Sequence, residues 1–291
     1  MEENYKLKEG LILTILATTL WGINGTVTRY LLQNNLDPVV LVQLRLTFSS
    51  ILLFFWIGLK KEKLKIKKDN LLSLVVLGIF GLSMVQMSYF YTISLTNVAT
   101  AVFLQYLSPV IVAVYGIIFK TEELNNTKLF AVLLALLGSF LIVAKNGNIK
   151  LPLIGLISGL ASAFSQSFYL IYGKKVLKHF TPLTVLAYGW LFGAIFWWLL
   201  IPPQQALFQQ VFTLRDIIGI VYIVVLATVI PFLLYFKGLK YLTSTTASVV
   251  SLVEPVVAVV VAYLVLGEKL TLSAALGALL ILFAVYKISQ N

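Results

Sequence analysis

The sequence predicts an all-α integral membrane protein in which ten transmembrane helices form two inverted five-helix repeats. Three observations lead to this fold class. The 291-residue chain is 60% hydrophobic and only 11% charged, whereas a soluble domain has roughly 25% charged residues. Its apolar stretches divide into ten segments long enough to cross a bilayer as helices. A long segment of the first half also recurs 146 residues later in the second half.

The ten predicted helices follow the apolar segments in order. They cover approximately residues 10–28, 37–59, two stretches within 70–119, then 127–144, 152–173, 182–201, 216–236, 244–270 and 270–286. Asp37 is a good cap for the second helix, and the proline that follows it fits a first helical turn. The uncharged segment 70–119 is too long for one crossing at about 1.5 Å per residue, so it predicts a hairpin that turns at Thr96–Asn97. Pro202 and Pro203 end the seventh helix.

The internal repeat is clearest where Tyr89–Leu124 is aligned with Tyr235–Leu270. Eight positions carry the same residue in both copies. In the first copy these are Tyr89, Phe90, Thr100, Ala101, Pro109, Val110, Glu122 and Leu124. Because each copy holds five predicted helices, the second enters the membrane from the opposite face. The repeats are then residues 1–148 and 149–291. This architecture is typical of secondary transporters, although a duplication that serves only stability is an alternative.

The basic residues predict the orientation of the chain. The net charge is +11, which in a soluble protein would suggest nucleic acid as a partner. With the N-terminus inside, sixteen of the 22 Lys and Arg residues fall on the inner side, and Arg45 lies within a helix. The outer side holds Arg29, Lys145, Lys150, Arg215 and Lys269. The positive-inside rule therefore predicts a multi-pass protein of the cell membrane with both termini in the cytoplasm.

Short motifs in both halves resemble those of one transporter family. They are LWGIN at 20–24, Arg45–Leu46, SPV and EEL at 108–110 and 122–124, and EPV and LGEKL at 254–256 and 266–270. Together they are similar to the EamA family of the drug/metabolite transporter superfamily, over nearly the whole chain. The resemblance implies a ten-helix carrier of amino acids or other small metabolites, often moved outward. One departure is Lys120–Thr121, which stands where the second copy has Leu266–Gly267.

A solute cavity needs polar and aromatic side chains that face the inside of the helical bundle. Helical spacing groups such residues on one face of several helices. The predicted substrate-binding residues are Trp21, Asn24, Gln86, Tyr89, Gln105, Ser162, Gln166, Tyr169, Tyr235 and Ser251. Two alternatives remain at this stage. Serine and threonine hydroxyls often bond to carbonyls of their own helix, and aromatic residues also form belts at the membrane surfaces.

Two charges lie inside predicted helices. Glu254, near the middle of the ninth, costs roughly 2.5–3.5 kcal/mol on insertion scales. It could couple transport to protons, bind a substrate ammonium, form an ion pair, or support a kink at Pro255. Arg45 could hold a substrate carboxylate, pair with Glu254, or extend toward the membrane surface. Pro109 and Pro255 are predicted hinges, because a proline leaves a helix carbonyl unbonded.

The predicted function is secondary transport of a small polar metabolite, such as an amino acid or amine, by alternating access around a midplane cavity. Export is favoured over import, and protons are the candidate coupling ion. The sequence predicts no enzyme, because it has no catalytic constellation, and no cofactor, metal or nucleic-acid partner. The alternatives are a lipid flippase, another non-enzymatic membrane protein, or an importer of a small amine or carboxylate.

Overall fold

The computed structural model describes residues 2–33, 37–60, 68–143, 152–202, 212–267 and 269–290, and all regular elements in these ranges are helices. The first half contains α1 (Glu2–Gln33), α2 (Pro38–Leu59), α3 (Lys68–Val76), the π-helix π1 (Leu77–Ser83), α4 (Met84–Leu95), α5 (Val98–Gln105), α6 (Ser108–Phe119) and α7 (Asn126–Val143). The second half contains α8 (Leu153–Val176), α9 (Pro182–Leu200), α10 (Leu214–Tyr222), the π-helix π2 (Ile223–Val229), α11 (Ile230–Tyr241), α12 (Ser244–Ser251), α13 (Val253–Leu266) and α14 (Leu272–Ser289).

Nine helical stretches within the described ranges are long and apolar enough to cross a membrane. Several consist of consecutive elements, since α10, π2 and α11 form one stretch, Leu214–Tyr241. The chain turns where the sequence predicted a hairpin, because α4 ends at Leu95 and α5 begins at Val98. The prediction of an α-helical membrane protein is thus confirmed.

The internal repeat is visible in the boundaries of the elements. The elements α3, π1, α4, α5 and α7 each begin and end 146 residues before α10, π2, α11, α12 and α14. Even the capping residues correspond. The Asn97 side chain accepts a hydrogen bond from the Thr100 amide at 2.8 Å, and the Thr243 hydroxyl accepts one from the Thr246 amide at 3.1 Å. Similar local sequence therefore produces the same local structure twice.

The two halves interdigitate rather than packing as separate bundles. Helix α1 of the first half packs against α11 of the second, and its counterpart α8 packs against α4. Helices α7 and α14 also pack together, and so do α2 and α9. Glycine allows the closest approach of π1 to α9, since a Cβ atom on Gly78 would lie 2.3 Å from the carbonyl oxygen of Gly189. The core is therefore shared between the halves.

Two membrane-spanning stretches are interrupted near their middle. The break between α5 and α6 falls at Tyr106–Leu107, and the break between α12 and α13 falls at Leu252. The predicted hinge residues Pro109 and Pro255 each lie in the first turn that follows a break. Proline fits there because a first-turn amide has no acceptor within its own helix. The hinge function itself stays a prediction.

The turns after α6 and α13 are alike despite their different sequences. Each helix ends at a left-handed residue, which is Lys120 with φ of 50° after α6 and Gly267 with φ of 67° after α13. The departure at Lys120–Thr121 therefore does not abolish the turn. It has a cost, because a residue other than glycine in this conformation loses roughly 1–2 kcal/mol.

Candidate solute cavity

A cavity of about 100 Å³ lies between the two halves, next to both helix breaks. Residues of α1, α2, α4, α5, α8, π2, α11 and α13 surround it. The lining consists of Trp21, Asn24, Arg45, Val85, Gln86, Tyr89, Phe90, Ile93, Val98, Gln105, Gln166, Tyr169, Ala227, Phe232 and Glu254. Both halves thus contribute polar and aromatic groups to one site.

The π-helix π2 forms one wall and holds polar side chains of the first half through its main-chain carbonyls. The Trp21 indole nitrogen donates to the Ala227 oxygen at 3.1 Å, and the Asn24 side-chain amide donates to the Leu226 oxygen at 2.9 Å. Arg45 Nη2 donates to the same Ala227 oxygen at 2.9 Å. A π-helical segment interrupts the regular i to i−4 bonding and often occurs at functional sites. The Ala227 carbonyl is available because Pro231, four residues later, has no amide hydrogen to donate to it.

The side chain of Arg45 is fixed within the protein. Besides the bond to Ala227, its Nε atom donates to the Thr228 hydroxyl at 2.5 Å. Its guanidinium carbon lies 5.4 Å from the centroid of the Phe90 ring. Among the residues that the structure describes, it forms no ion pair with Glu254. The structure therefore does not favour the ion pair as the role of Arg45. It does not favour extension toward the surface either, since only 8% of the residue is exposed.

Glu254 occupies the first turn of α13 and lines the cavity. Helix α1 approaches it closely, because a Cβ on Gly22 would lie 2.6 Å from the Glu254 carbonyl oxygen. The buried hydroxyl of Tyr106 lies next to the carboxyl group. The carboxyl group thus lies beside the cavity, at the start of a half-helix whose amide dipoles favour an anion.

Seven of the ten predicted substrate-binding residues lie together in the lining. They are Trp21, Asn24, Gln86, Tyr89, Gln105, Gln166 and Tyr169. The other three lie behind it. The Ser162 hydroxyl points to the Val85 oxygen of α4 at 3.5 Å, while the Tyr235 hydroxyl meets the Ser251 hydroxyl at 2.7 Å. These three residues connect neighbouring helices.

The small hydroxyl side chains of α1 and α8 serve helix packing. Thr14 and Thr18 donate to carbonyl oxygens of their own helix, at 2.8 and 3.0 Å. Ser158 of α8 donates to the Ser88 oxygen of α4 at 2.8 Å. The alternative considered for hydroxyls, bonding to carbonyls of their own helix, therefore applies to Thr14 and Thr18, whereas Ser158 bonds to a neighbouring helix.

Phe232 is a lining residue that the sequence reasoning missed. It packs edge-on against Trp21, with ring centroids 4.9 Å apart. The internal repeat contained the signal that could have found it, since Phe232 is the counterpart of Gln86, 146 residues earlier. Ala227 contributes through its main-chain carbonyl, and its signal in the sequence is Pro231, which removes the amide that would bond to that carbonyl.

Opposite the turn at Thr96–Asn97, polar contacts join the two halves. Glu122, in the loop after α6, accepts hydrogen bonds from the amides of Ser244 and Thr245 at 2.6 and 3.2 Å. It thereby caps α12 of the other half, whereas α7 is capped by Asn125. Lys174 donates to the carbonyls of Leu239 and Leu242 at the end of α11. Glu268, the counterpart of Glu122, lies outside the described residues.

No group of three or more His, Asp or Glu side chains in the described ranges is arranged to hold a metal ion. The candidate site is therefore defined by amides, aromatic rings, one carboxylate and one guanidinium.

Comparison with known proteins gives consistent matches over the whole chain. A model of the EamA-like transporter family matches residues 8–144 and again residues 153–290. The uncharacterized inner membrane transporter YicL of Salmonella typhimurium is 31% identical over 98% of this chain and 96% of its own length. The riboflavin transporter ImpX of Fusobacterium nucleatum is 25% identical over 97% and 98%. One crystal structure shares the fold, with a TM-score of 0.80 at 19% identity and 96% coverage of both chains.

Proposed function

Because the chain belongs to the EamA-like transporter family, we propose that it is a secondary transporter that exports small polar metabolites, such as amino acids or amines. The observation that carries this proposal is the cavity, where amides, a carboxylate and aromatic rings from both halves meet inside an apolar bundle. Polar groups at such depth in a membrane protein are costly and mark solute or ion pathways.

We propose ten spans in two inverted repeats, with both termini in the cytoplasm of the cell. Helix α1, which has 32 residues, supplies the tenth span. The chain contains no cysteine, so single cysteines can report the topology without background. Asn97→Cys is expected to react with a membrane-impermeant thiol reagent on intact cells, and Thr121→Cys only after permeabilisation. The opposite labelling pattern would contradict the orientation.

Alternating access is the transport mechanism that we propose. Interrupted helices at corresponding positions of two repeats are the usual mark of a transporter binding site, and Gln105 and Glu254 line the cavity beside the two breaks. The lining reaches Ile93 and Val98, near the turn at Thr96–Asn97. The contacts of Glu122 lie at the other membrane surface. This favours a state closed at the Glu122 end, with Pro109 and Pro255 as hinges for the opposite state.

The size of the cavity favours a small solute. Pockets for drug-sized ligands measure roughly 300–1,000 Å³, whereas this cavity measures about 100 Å³. ImpX is named for riboflavin, and the volume favours a smaller ligand for this chain. We assign solute contact to the seven predicted residues in the lining, and a supporting role to Ser162, Tyr235 and Ser251.

Glu254 is the residue that we propose couples transport to protons. The test is uptake of labelled amino acids and amines into liposomes that contain the purified protein, measured across a range of pH. Saturable flux is expected, with a pH dependence that Glu254→Gln removes. Glu123→Gln, the same change at an exposed loop position, serves as the control. Full proton-dependent flux in Glu254→Gln would disprove the coupling role, and absence of saturable flux for every solute would disprove the transport function.

A further inference from the structure

One of the two hydrogen-bonding edges of Arg45 that can hold a carboxylate is already used. A bidentate contact with a carboxylate needs two parallel N–H groups of the guanidinium fork. Nε and Nη2 form such an edge, and they bond to the Thr228 hydroxyl and the Ala227 oxygen at 2.5 and 2.9 Å. The guanidinium group also lies over the ring of Phe90. Arg45 thus serves as a link between α2 and π2, and only its other edge, formed by Nη1 and Nη2, is left for a solute carboxylate.

Two glutamines of the lining carry acceptor atoms without a partner. Gln86 is 4% exposed and Gln166 is 5% exposed, and the Oε1 atom of each has no hydrogen-bond partner. The orientation of the Gln86 amide is determined, because its Nε2 atom donates to the Leu82 oxygen at 3.1 Å. A buried acceptor left unpaired costs about 1–3 kcal/mol. A solute that donates hydrogen bonds would remove this cost at both positions.

The carboxyl group of Glu254 is a third acceptor beside the same cavity. It forms no ion pair with any Lys or Arg in the part of the chain that the structure describes. The buried Tyr106 hydroxyl lies next to it and is a neutral neighbour. The carboxyl group is therefore not in direct contact with a basic side chain of the described residues, and a cationic solute would supply that contact.

Aromatic rings complete the lining. Trp21 is held by its hydrogen bond to Ala227 and packs against Phe232, and Tyr89 and Tyr169 contribute further rings. The face of an aromatic ring attracts an ammonium group within about 6 Å, and the ring carbons accept an apolar chain. Such a lining suits an ammonium group attached to a hydrocarbon body.

We propose that the cavity binds an organic cation, a protonated amine with a small apolar body, and discriminates against carboxylates. In this arrangement the ammonium group donates to Glu254 and to the Oε1 atoms of Gln86 and Gln166, while the hydrocarbon body packs against Trp21 and Phe232. The inference rests on the proposed transport function and narrows its solute class. It separates the amines from the amino acids, which carry a carboxylate for which one of the two edges of Arg45 is already occupied.

Four probes that share one aromatic body and differ in charge test this inference. They are 2-phenylethylamine, phenylalanine, 3-phenylpropionate and 2-phenylethanol, and their binding to the purified full-length protein is measured by calorimetry at neutral pH. We expect the amine to bind at least tenfold more tightly than the zwitterion and the anion. Glu254→Gln is expected to weaken amine binding at least tenfold and to leave binding of the neutral alcohol unchanged.

Two further variants test the inference even if Glu254→Gln does not fold. Gln166→Met removes one unpaired acceptor and is expected to weaken amine binding several-fold, whereas Gln290→Met, at an exposed position, is expected to leave it unchanged. Equal or tighter binding of phenylalanine or 3-phenylpropionate would overturn the inference, and so would a failure of the amine to bind. Saturable liposome flux of an amino acid but not of amines would refute the cation class and leave the transport function standing.

Discussion

Two equivalent helix crossings in this protein are packed in opposite ways. In the first, Arg45 of α2 extends to Thr228 of π2, next to the cavity. In the second, the counterpart of Arg45 is Gly189 of α9, because each lies seven residues after the first proline of its helix, Pro38 or Pro182. Gly189 lies directly against Gly78 of π1. A long charged side chain therefore connects the elements at one crossing, while two main chains are in direct contact at the other.

The difference shows how two copies of one fold can contribute unequally to one cavity. The π-helices have the same length and register in both halves, so the backbone does not account for the asymmetry. The side chains do, because a glycine allows close contact where an arginine requires space and hydrogen-bond acceptors. Under the proposed alternating access, the two crossings would exchange between tight and open packing. The following variants test how much each crossing contributes.

The largest effect is expected at the tight crossing, from Gly78→Ala. The new Cβ would lie 2.3, 2.9 and 3.0 Å from the O, Cα and C atoms of Gly189. These are main-chain atoms that cannot rotate away, so α9 must move. We expect the free energy of unfolding to fall by about 3 kcal/mol, near the upper end for overpacking, as measured by thermal unfolding in detergent.

Gly58→Ala is the matched control for Gly78→Ala. It also lies in a helix, but nothing lies within 4 Å of its new Cβ. Alanine in a helix interior is favoured over glycine by roughly 0.5–1 kcal/mol, so the control is expected to unfold at the same or a higher temperature. Equal stability of Gly78→Ala and the control would show that the crossing is not tightly packed.

The next effect is expected at the Arg45 crossing, from Arg45→Met. Methionine keeps the length of the side chain but leaves the Thr228 hydroxyl and the Ala227 oxygen without their donor. Hydrogen bonds from charged groups contribute about 1.5–3 kcal/mol, and we expect a loss of about 2 kcal/mol in the same unfolding measurement. Arg215→Met, at an exposed position, is expected to change stability little. A similar result for both variants would mean that Arg45 does not link α2 to π2.

The sequence was sufficient to predict the helices, for identifiable reasons. Caps such as Asp37 and Asn97 act within one turn of their own helix, so a local pattern locates the helix starts. The π-helices could not be predicted in this way. The segments Leu77–Ser83 and Ile223–Val229 have the composition of any apolar helix, and their wider turns depend on contacts with other helices.

Only part of the cavity lining could be predicted from the sequence. Helical periodicity identifies the side chains that face the bundle interior, which is why Trp21, Asn24 and Gln166 were selected. It does not tell whether a neighbouring helix or a cavity covers that face. Ser162 and Tyr235 face inward by the same criterion, yet their hydroxyls bond to neighbouring groups. The partners of Arg45 were equally inaccessible, since Thr228 is 183 residues away in the chain.

A smaller effect is expected from Glu122→Gln, in the loop between α6 and α7. The carboxylate caps α12 through two amides, those of Ser244 and Thr245. An amide group has one acceptor oxygen instead of two, and it does not complement the helix dipole. We expect a loss of about 1 kcal/mol, which is typical for a cap. Glu123→Gln is the control, and a loss of the same size there would show that the cap is not responsible.

The smallest expected effect is the coupling free energy between two caps of one helix. Its measurement compares equivalent helix starts in the two halves. Thr243 caps α12 together with Glu122, because its hydroxyl accepts from the Thr246 amide, while Asn97 caps the equivalent helix α5. Thr243→Ala combined with Glu122→Gln leaves α12 with neither cap. We therefore expect the double variant to lose about 0.5 kcal/mol more than the two single losses together, as neighbouring groups usually couple. Asn97→Ala combined with Glu122→Gln is expected to be additive, because these residues cap different helices. If both pairs prove additive in thermal unfolding, Glu122 acts on α12 independently of Thr243, and the two caps do not stabilise the start of α12 as one unit.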